Sequence, residues 1–454
     1  MTQTVELPIW AFVLILLFAV VTFASHFLFP SVRWFFRRRM EKVVSRVNER
    51  LDRPIEPFKL ARRYDMIQRL IYDPEVSQAI AEYARKEGVP ENVAFEKAQS
   101  YAREIVPSFS ASAYFGFAIR IARGLSNALY RVRLAYHDDT QLGALDKDAT
   151  VVFVMNHRSN MDYVLVTYLA AERSALAYAV GEWARVWPLS RLIKAMGAYF
   201  IRRKSRGELY RKVLARYVAM ATQAGVTQAM FPEGGLSLDG ALAKPKMGLL
   251  KYITDGFDPD GRDVVFVPVA LNYDRVLEDR ILMAAGAAGT RRFRARISVV
   301  AGFFVKQLWL RVVGRYHRFG YAAVSFGEPV SLKAYNTASA AGADVDAEDL
   351  ADHLMDRIAS VVPVVPVPLL ARVLLHEGRV PQADLPALME RYADALGAAH
   401  VHLPRGSYAY AAEIALKHLI KRRIACVQND DVLFQDDQRT ALEYYANSIA
   451  HLSK

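Results

Sequence analysis

Short apolar runs alternate with longer apolar segments through the middle of the chain, from about residue 143 to residue 335. Thr150–Met155 and 264–271 are rich in valine and have the length of a buried strand, whereas 163–171 has the composition of a buried helix. Pro268 in the second run indicates an edge strand or a bulge, because proline cannot donate a hydrogen bond to a neighbouring strand. The pattern predicts an α/β fold in which helices flank a central mixed sheet.

The N-terminal end of the chain has a different pattern. Residues 7–29 contain no Lys, Arg, Asp or Glu, which predicts a single-pass transmembrane helix. A signal peptide is the competing interpretation, but Glu6 stands where a basic residue is expected. Five basic residues follow this apolar run: Arg33, Arg37, Arg38, Arg39 and Lys42. Because basic residues accumulate on the cytoplasmic side of a spanning helix, the rest of the chain is expected on that side. This basic segment either binds anionic lipid head groups or forms a solvated helix face.

Changes in composition divide the remainder. Residues 30–142 are predicted to form a basic juxtamembrane stretch and a helical N-terminal domain, and 143–335 form the α/β domain. Residues 336–349 are rich in Ala, Gly and Asp and are predicted to be a linker. Beyond it, 350–454 is predicted to be a mainly helical C-terminal domain.

A polar segment joins the first predicted strand to the first predicted helix of the α/β domain. It reads Asn-His-Arg-Ser-Asn-Met-Asp at 156–162. Residues five apart on one helix point roughly 140° away from each other, so His157 and Asp162 can meet only across a turn. In such a turn the carboxylate can orient the imidazole, and His157 can then take a proton from an alcohol as a general base. The alternative is that Ser159 and Asp162 only cap the start of the helix.

Further segments follow in an informative order. They are 197–203 (Gly-Ala-Tyr-Phe-Ile-Arg-Arg), 231–235 (Phe-Pro-Glu-Gly-Gly), 244–248 (Lys-Pro-Lys-Met-Gly) and 267–269 (Val-Pro-Val). Together with the His-x4-Asp segment they resemble the membrane-bound glycerol-3-phosphate and dihydroxyacetone-phosphate acyltransferases, which belong to the glycerolipid acyltransferases. The resemblance covers most of the chain after about residue 70, and it implies that 143–335 is the acyltransferase domain.

The resemblance also implies roles for individual residues. His157 and Asp162 would be catalytic, and substrate binding would fall to Ser159, Arg202, Arg203, Glu233, Gly234, Gly235 and Lys246. Arginine suits a phosphate dianion because its fork donates two parallel hydrogen bonds, although adjacent arginines can equally form a solvated or lipid-facing cluster. Likewise, 231–235 has the composition of an ordinary chain reversal.

One departure from the family pattern concerns the acceptor. Leu236 and Leu238 stand where the third block usually carries arginine, and Lys244 or Lys246 would have to compensate. A more lipid-like acceptor such as lysophosphatidate therefore stays open.

Composition limits the classes of binding partner. The net charge of +12 indicates an anionic partner, and the apolar N-terminus favours membrane lipids over nucleic acid. Cys426 is the single cysteine, which excludes an internal disulfide and a cysteine zinc site. No metal and no cofactor are expected, because His157 would supply the base and a thioester is already activated.

The expected reaction is transfer of a long-chain acyl group from acyl-CoA or acyl carrier protein to the sn-1 hydroxyl of glycerol 3-phosphate, in phospholipid biosynthesis. No covalent acyl-enzyme is expected, because the hydroxyl of the phosphorylated glycerol acceptor would attack the thioester directly. Two alternatives remain: an acyltransferase for lysophosphatidate or another acceptor, and a non-catalytic membrane scaffold that keeps the fold.

Overall fold

A computed structural model describes residues 8–136, 143–170, 174–181, 189–202, 207–289, 309, 313, 316–338, 346–397 and 400–453. The chain falls into two compact units, one ending at Pro54 and one beginning at Ile55.

The first unit contains one long helix, α1 (Ile9–Asn48), of 40 residues. Its described side chains from Ile9 to Val20 are apolar and mostly exposed, and most of those from 21 to 37 lie outside the described residues. Within the part of the chain that the structure describes, no helix combines the length and the apolar character needed to cross a membrane. The transmembrane anchor predicted for 7–29 is not supported by this finding, and most side chains in its second half lie outside the described residues.

The second unit begins with helices. They are α2 (Pro57–Leu60), α3 (Arg63–Ile71), α4 (Pro74–Glu87), α5 (Glu91–Ile105), a π-helical stretch (Ser112–Ala118) and α6 (Ile119–Leu129). Local sequence sets the ends of α4: the Asp73 side chain accepts a hydrogen bond from the backbone N–H of Glu75 at 3.1 Å, and Gly88 ends the helix at φ +65°. The buried faces of α3, α4 and α5 pack together against one face of the sheet described next.

A mixed sheet forms the centre of this unit, as predicted. Its strands are β1 (Arg131–Leu134), β2 (Thr150–Met155), β3 (Ala177–Gly181), β4 (Tyr199–Ile201), β5 (Gln228–Met230), β6 (Val264–Tyr273), β7 (Tyr321–Phe326) and β8 (Val330–Ser331). The strand order is β1-β7-β6-β2-β5-β3-β4, and β8 also pairs with β6. Strands β2 to β6 are mutually parallel, whereas β7 and β8 run antiparallel to β6, and β1 is parallel to β7. The carboxyl ends of β2 to β6 and the amino ends of β1 and β7 therefore share one edge.

Helices connect and cover these strands. They are α7 (Met161–Leu169), α8 (Leu189–Ala195), α9 (Glu208–Gln223), α10 (Gly248–Thr254), α11 (Asp279–Ala287) and α12 (Leu332–Ala338). All six residues of β2 are buried, which is typical of a central strand covered on both faces. Val151, Phe153 and Met155 face a core shared with the C-terminal helices, while Val152 and Val154 face the core of α3 to α5 and α9.

Pro268 lies in the interior of the sheet, so its interpretation as an edge residue is wrong. It pairs with Val154 of β2 on one side. On the other side, β6 pairs with β7 from Val269 onward and with β8 up to Phe266, and the register changes by one residue between them. This register change is a bulge. At the bulge the sheet needs no backbone N–H donor from residue 268, so proline is tolerated there.

The C-terminal region is mainly helical, as predicted, and carries a small sheet. Its helices are α13 (Ala347–Ser360), α14 (Pro366–Glu377), α15 (Leu385–Asp394), α16 (Tyr408–Lys421) and α17 (Arg439–Ala446). Strands β9 (Arg379–Pro381), β10 (Ala425–Gln428) and β11 (Asp431–Phe434) pair antiparallel in the order β10-β11-β9. The predicted linker 336–349 overlaps α12 and α13 at its two ends, and 339–345 lies outside the described residues.

Candidate active site

Two of the predicted polar segments meet at the carboxyl edge of the sheet. Strands β2 and β5 are parallel neighbours, with Val154 opposite Met230, so the residues that follow them leave the sheet side by side. The backbone N–H of His157 donates to Oε1 of Glu233 at 2.8 Å. Segments 156–162 and 231–235 are thus parts of one site.

His157 and Asp162 form a buried hydrogen-bonded pair. Nδ1 of His157 lies 2.9 Å from Oδ2 of Asp162, and both side chains are at most 2% exposed. The pair meets across a turn, because the chain leaves β2 at Met155 and α7 begins at Met161. A carboxylate at Nδ1 favours the tautomer with its proton on that nitrogen, which leaves Nε2 as the nitrogen that can accept a proton.

Asp162 is held by three further donors. Its Oδ2 also accepts from the backbone N–H groups of Arg158 at 2.7 Å and Ser159 at 2.9 Å, and its Oδ1 accepts from the Tyr273 hydroxyl at 2.5 Å. Burial and the charge of Asp162 raise the pKa of Tyr273 well above its usual value, so this hydroxyl stays protonated and donates. The two backbone contacts match the capping role weighed for Asp162, but the imidazole contact goes beyond capping.

Ser159 lies beside the pair and is engaged by another carboxylate. Its hydroxyl donates to Oε2 of Glu278 at 2.8 Å and accepts from the backbone N–H of Met161 at 3.1 Å. The Asn160 side chain donates to Oε1 of Glu278 at 3.1 Å. Burial raises the pKa of Glu278. Ser159 thus helps fix the turn, and its role in substrate binding stays a prediction.

Glu233 is buried and ties two loops together. Oε1 accepts from His157, and Oε2 accepts from the backbone N–H of Ala243 at 3.0 Å. Burial raises the pKa of Glu233 to about 7, against the lowering effect of these two hydrogen bonds. Both oxygens are occupied by the protein, so the acceptor contact implied for Glu233 stays a prediction.

A cavity of about 280 Å³ lies against this site. Phe231 stacks on the His157 imidazole with ring centroids 3.9 Å apart, and Tyr163 packs edge-on to the same ring at 5.5 Å. Both aromatic rings also line the cavity, so they form a wall shared by the cavity and the imidazole. The other lining residues are Ala179, Ile201, Arg202, Tyr210, Arg211, Leu214, Met230, Pro232, Gly234, Lys246, Gly248, Leu249 and Tyr252.

Gly234 and Lys246 contribute to this cavity together. Gly234 has φ +67°, and a Cβ there would lie 2.8 Å from Cδ of Lys246. The left-handed backbone favours glycine at 234, and a Cβ there would displace the Lys246 side chain. Gly235 follows in the same loop and is buried, and it is not among the residues that line the cavity.

Arg202 borders the cavity but is bound to a carboxylate of the N-terminal helices. Its Nε lies 2.9 and 3.1 Å from the two oxygens of Glu104, and its Nη2 lies 2.6 Å from Oε2. The guanidinium also sits 5.2 Å from the Tyr101 ring and 5.5 Å from the Tyr210 ring. A phosphate would have to compete with Glu104 for this fork. Arg203 lies outside the described residues.

Arg158, which the sequence patterns did not single out, is buried between the site and the C-terminal region. One of its guanidinium nitrogens donates to the carbonyl oxygen of Gly240, and the group sits 5.2 Å from the Tyr444 ring. Nε and Nη2 find no hydrogen-bond partner among the described residues. Gly240 has φ +89°, and a Cβ there would collide with the backbone carbonyl of Tyr444. Helix α17 therefore packs directly onto the loop that follows 231–235.

Within the described ranges, no three His, Cys, Asp or Glu side chains are grouped so that they could hold a metal ion. The chemistry available to this site is that of His157 and its carboxylate: proton transfer at Nε2 with stabilisation of the imidazolium that forms.

Two family models match the chain. A model described as acyltransferase covers residues 134–272, and a model described as glycerol-3-phosphate acyltransferase C-terminal region covers 309–453. The first contains the His157 and Glu233 segments, and the second contains α13 to α17.

Curated relatives carry a matching name. The glycerol-3-phosphate acyltransferase of Pseudomonas entomophila (strain L48) is 26% identical over 448 residues, which are 91% of this chain and 52% of that protein. The glycerol-3-phosphate acyltransferase of Shewanella oneidensis is 28% identical over 446 residues, 90% of this chain and 52% of that protein. The chain spans about half the length of the curated relatives it matches.

A solved structure, that of a 1-acyl-sn-glycerophosphate acyltransferase from Thermotoga maritima, is similar to 54% of this chain and 75% of its own, with 18% identity and a TM-score of 0.32. The family matches agree with the resemblance carried by the His157 and Glu233 segments. The chain is thus similar to the glycerol-3-phosphate acyltransferases, with a region that matches the acyltransferase model followed by a region that matches the C-terminal region of that family.

Proposed function

We propose that this acyltransferase moves a long-chain acyl group from a thioester donor, acyl-CoA or acyl carrier protein, to the sn-1 hydroxyl of glycerol 3-phosphate. The observation that carries the proposal is the His157–Asp162 pair, buried at the carboxyl end of β2 and held at 2.9 Å. The names of the curated relatives support glycerol 3-phosphate as the acceptor.

The proposed mechanism is a direct transfer. Nε2 of His157 takes the proton from the acceptor hydroxyl as its oxygen attacks the thioester carbonyl, and Asp162 stabilises the imidazolium. The tetrahedral intermediate collapses, the carbon–sulfur bond breaks, and the imidazolium returns the proton to the leaving thiolate. The products are an ester and a free thiol, and the thioester is activated enough that no cofactor is needed.

The acceptor's phosphate would lie in the cavity beside Phe231. Lys246 and Arg211 both line this cavity and are exposed. Arg202 also lines it, but Glu104 already occupies its fork. Phosphate binding in this proposal therefore rests first on Lys246 and Arg211, which suit a dianion through charge and hydrogen bonding.

Lysophosphatidate is the second candidate acceptor, and the walls of the cavity favour it. Ile201, Leu214, Met230, Phe231 and Leu249 give the cavity a largely apolar lining. An acceptor that already carries one acyl chain would bury that chain against such a surface. Leucines at 236 and 238, in place of the family's arginines, point the same way.

The reaction is proposed to take place at the cytoplasmic face of a membrane. The acyl chain of the donor, and that of a lysophosphatidate acceptor, would stay in apolar surroundings there. The exposed apolar side chains of α1 from Ile9 to Val20 and the net charge of +12 support contact with anionic membrane lipids.

The deciding experiment measures release of free thiol by the purified protein in mixed micelles, with a long-chain acyl-CoA and either glycerol 3-phosphate or lysophosphatidate. His157→Ala should abolish release, and the control His376→Ala, which changes a histidine side chain that is 74% exposed, should not. Release that depends on His157 with glycerol 3-phosphate supports the first candidate. Release with lysophosphatidate alone supports the second, and release that survives His157→Ala would remove His157 as the base.

A further inference from the structure

A second cavity, of about 450 Å³, lies outside the site described above. It is bounded by the end of α6, the start of β1, the segment that precedes β7, and α16. None of its lining residues lines the cavity beside His157. Its volume is within the range of pockets that bind small molecules.

The lining of this cavity is strongly basic. It contains two arginines, two lysines and two histidines, namely Arg131, Arg318, Lys417, Lys421, His317 and His418. Glu413 is the single carboxylate among the described lining residues. In the part of the chain that the structure describes, no ion pair joins any of the four cations to a carboxylate. Arg131 instead makes two long hydrogen bonds, of 3.4 and 3.5 Å, to the neutral hydroxyls of Tyr321 and Tyr410.

The titration of nearby groups agrees with an excess of positive charge. Burial, together with the neighbouring Lys421, Arg275 and Arg131, lowers the pKa of His418 to about 4. Burial and Lys417 also lower the pKa of Lys421. His418 is therefore neutral at pH 7 and can donate or accept a hydrogen bond. The surrounding cations give the cavity an excess of positive charge, which favours an anionic ligand.

The topology puts this cavity at the same edge of the sheet as His157. Strands β1 and β7 begin at the edge where β2 ends, because Tyr273 at the end of β6 pairs with Ala322 at the start of β7. In the strand order, β6 separates β7 from β2. The basic cavity, at the amino ends of β7 and β1, is therefore two to three strands away from β2 in the sheet. The cavity beside Phe231 lies on the other side of β2.

We propose that the basic cavity binds a phosphate ester, whose negative charge is neutralised by Arg131, Arg318, Lys417 and Lys421. Two molecules offer this chemistry at a glycerolipid acyltransferase: the nucleotide portion of coenzyme A and the head group of an anionic phospholipid. Binding there does not require acyl transfer, so it is measured on a His157→Ala background in which no turnover occurs.

The test compares equilibrium binding to two probes, coenzyme A and vesicles of phosphatidylcholine with or without phosphatidate. Lys417→Gln/Lys421→Gln removes two cations from the exposed face of α16. It should weaken binding of the recognised probe about tenfold or more, because each substitution removes a charge-assisted hydrogen bond to the phosphate. Glu413→Gln removes the opposing charge and should tighten the same probe. The matched control is Lys86→Gln/Lys333→Gln, which changes the net charge equally at exposed lysines outside both cavities and should leave binding unchanged.

Weakening for coenzyme A assigns the cavity to the donor, and weakening for phosphatidate vesicles assigns it to a lipid head group. If the cavity variant binds both probes as the control does, the proposal is overturned. Glu413→Gln gives an independent reading, because a basic site without a ligand would show no tightening. Thiol release by the same variants with an intact His157 shows separately whether the acyltransferase reaction is preserved.

Discussion

Asp162→Asn isolates the charge of the carboxylate from its shape. The amide oxygen can accept from the three donors that Oδ2 now serves, which are Nδ1 of His157 and the backbone N–H groups of Arg158 and Ser159. The amide nitrogen then faces the Tyr273 hydroxyl, which can turn from donor to acceptor. The substitution therefore removes a charge from a site whose hydrogen bonds can all be re-formed.

The size of the effect follows from the distance to the imidazole. His157 becomes an imidazolium when it accepts the hydroxyl proton, with Nδ1 and Oδ2 2.9 Å apart. For charge centres about 4 Å apart at an effective dielectric constant of about 20, the attraction is about 4 kcal/mol. Since about 1.4 kcal/mol changes a rate tenfold, loss of the charge should lower kcat about a thousandfold.

The assay is thiol release at saturating acyl-CoA, with kcat and the acceptor KM measured for each variant. Asp162→Asn should reduce kcat while the acceptor KM and the thermal unfolding temperature stay near the original values. Asp255→Asn is the matched control, because Asp255 is exposed on the far end of α10 and pairs only at the surface with Lys251. A loss of less than tenfold in a folded Asp162→Asn protein would refute the reasoning and leave Asp162 with a capping role.

Three further predictions concern the groups around the pair. Tyr273→Phe removes one hydrogen bond from Asp162 but keeps the charge, so kcat should fall about tenfold in the same assay. Arg202→Gln removes the guanidinium from the buried carboxylate of Glu104, so urea denaturation should show a loss of about 1–3 kcal/mol, which Glu104→Gln in the same chain should relieve. Glu233 has a pKa of about 7 in the folded chain, above its ordinary value of 4.5. The folded state therefore binds this proton more tightly than the unfolded state, and the unfolding free energy should fall by about 3 kcal/mol as pH rises from about 4.5 to about 7. Glu233→Gln should remove this part of the pH dependence in denaturant titrations.

Each of these has an opposing outcome. A Tyr273→Phe defect as large as that of Asp162→Asn would mean that the hydroxyl does more than hold the carboxylate. Unchanged stability with a raised acceptor KM in Arg202→Gln would identify this arginine as a phosphate ligand. An unaltered pH dependence in Glu233→Gln would assign it to other groups, such as Asp274, whose pKa burial also raises to about 7.

Local patterns predicted the parts of the site that are local in the chain. Thr150–Met155 is a strand as its valines indicate, and the turn that brings His157 to Asp162 follows from five residues of sequence. The partners that complete the site come from far along the chain. Glu104 meets Arg202 across 98 residues, and Tyr273 meets Asp162 across 111.

No periodicity marks such pairs, because only the strand order decides which segments become neighbours. The sequence predicted a mixed sheet, and a bulge as one of two interpretations of Pro268, but it did not indicate which strands run antiparallel. The membrane-spanning helix predicted for 7–29 is not supported by the described residues, among which no helix is long and apolar enough to cross a membrane.

The contact between Gly240 and the backbone of Tyr444 constrains how this protein can change over evolutionary time. Any side chain at 240 would push α17 away from the loop that carries Glu233, and Arg158 would lose the carbonyl and the ring that now surround it. The two regions that match separate family models are therefore not interchangeable modules. A hybrid that joins residues 134–272 of this chain to the C-terminal region of a distant relative should fold poorly unless both sides of this contact are transplanted together.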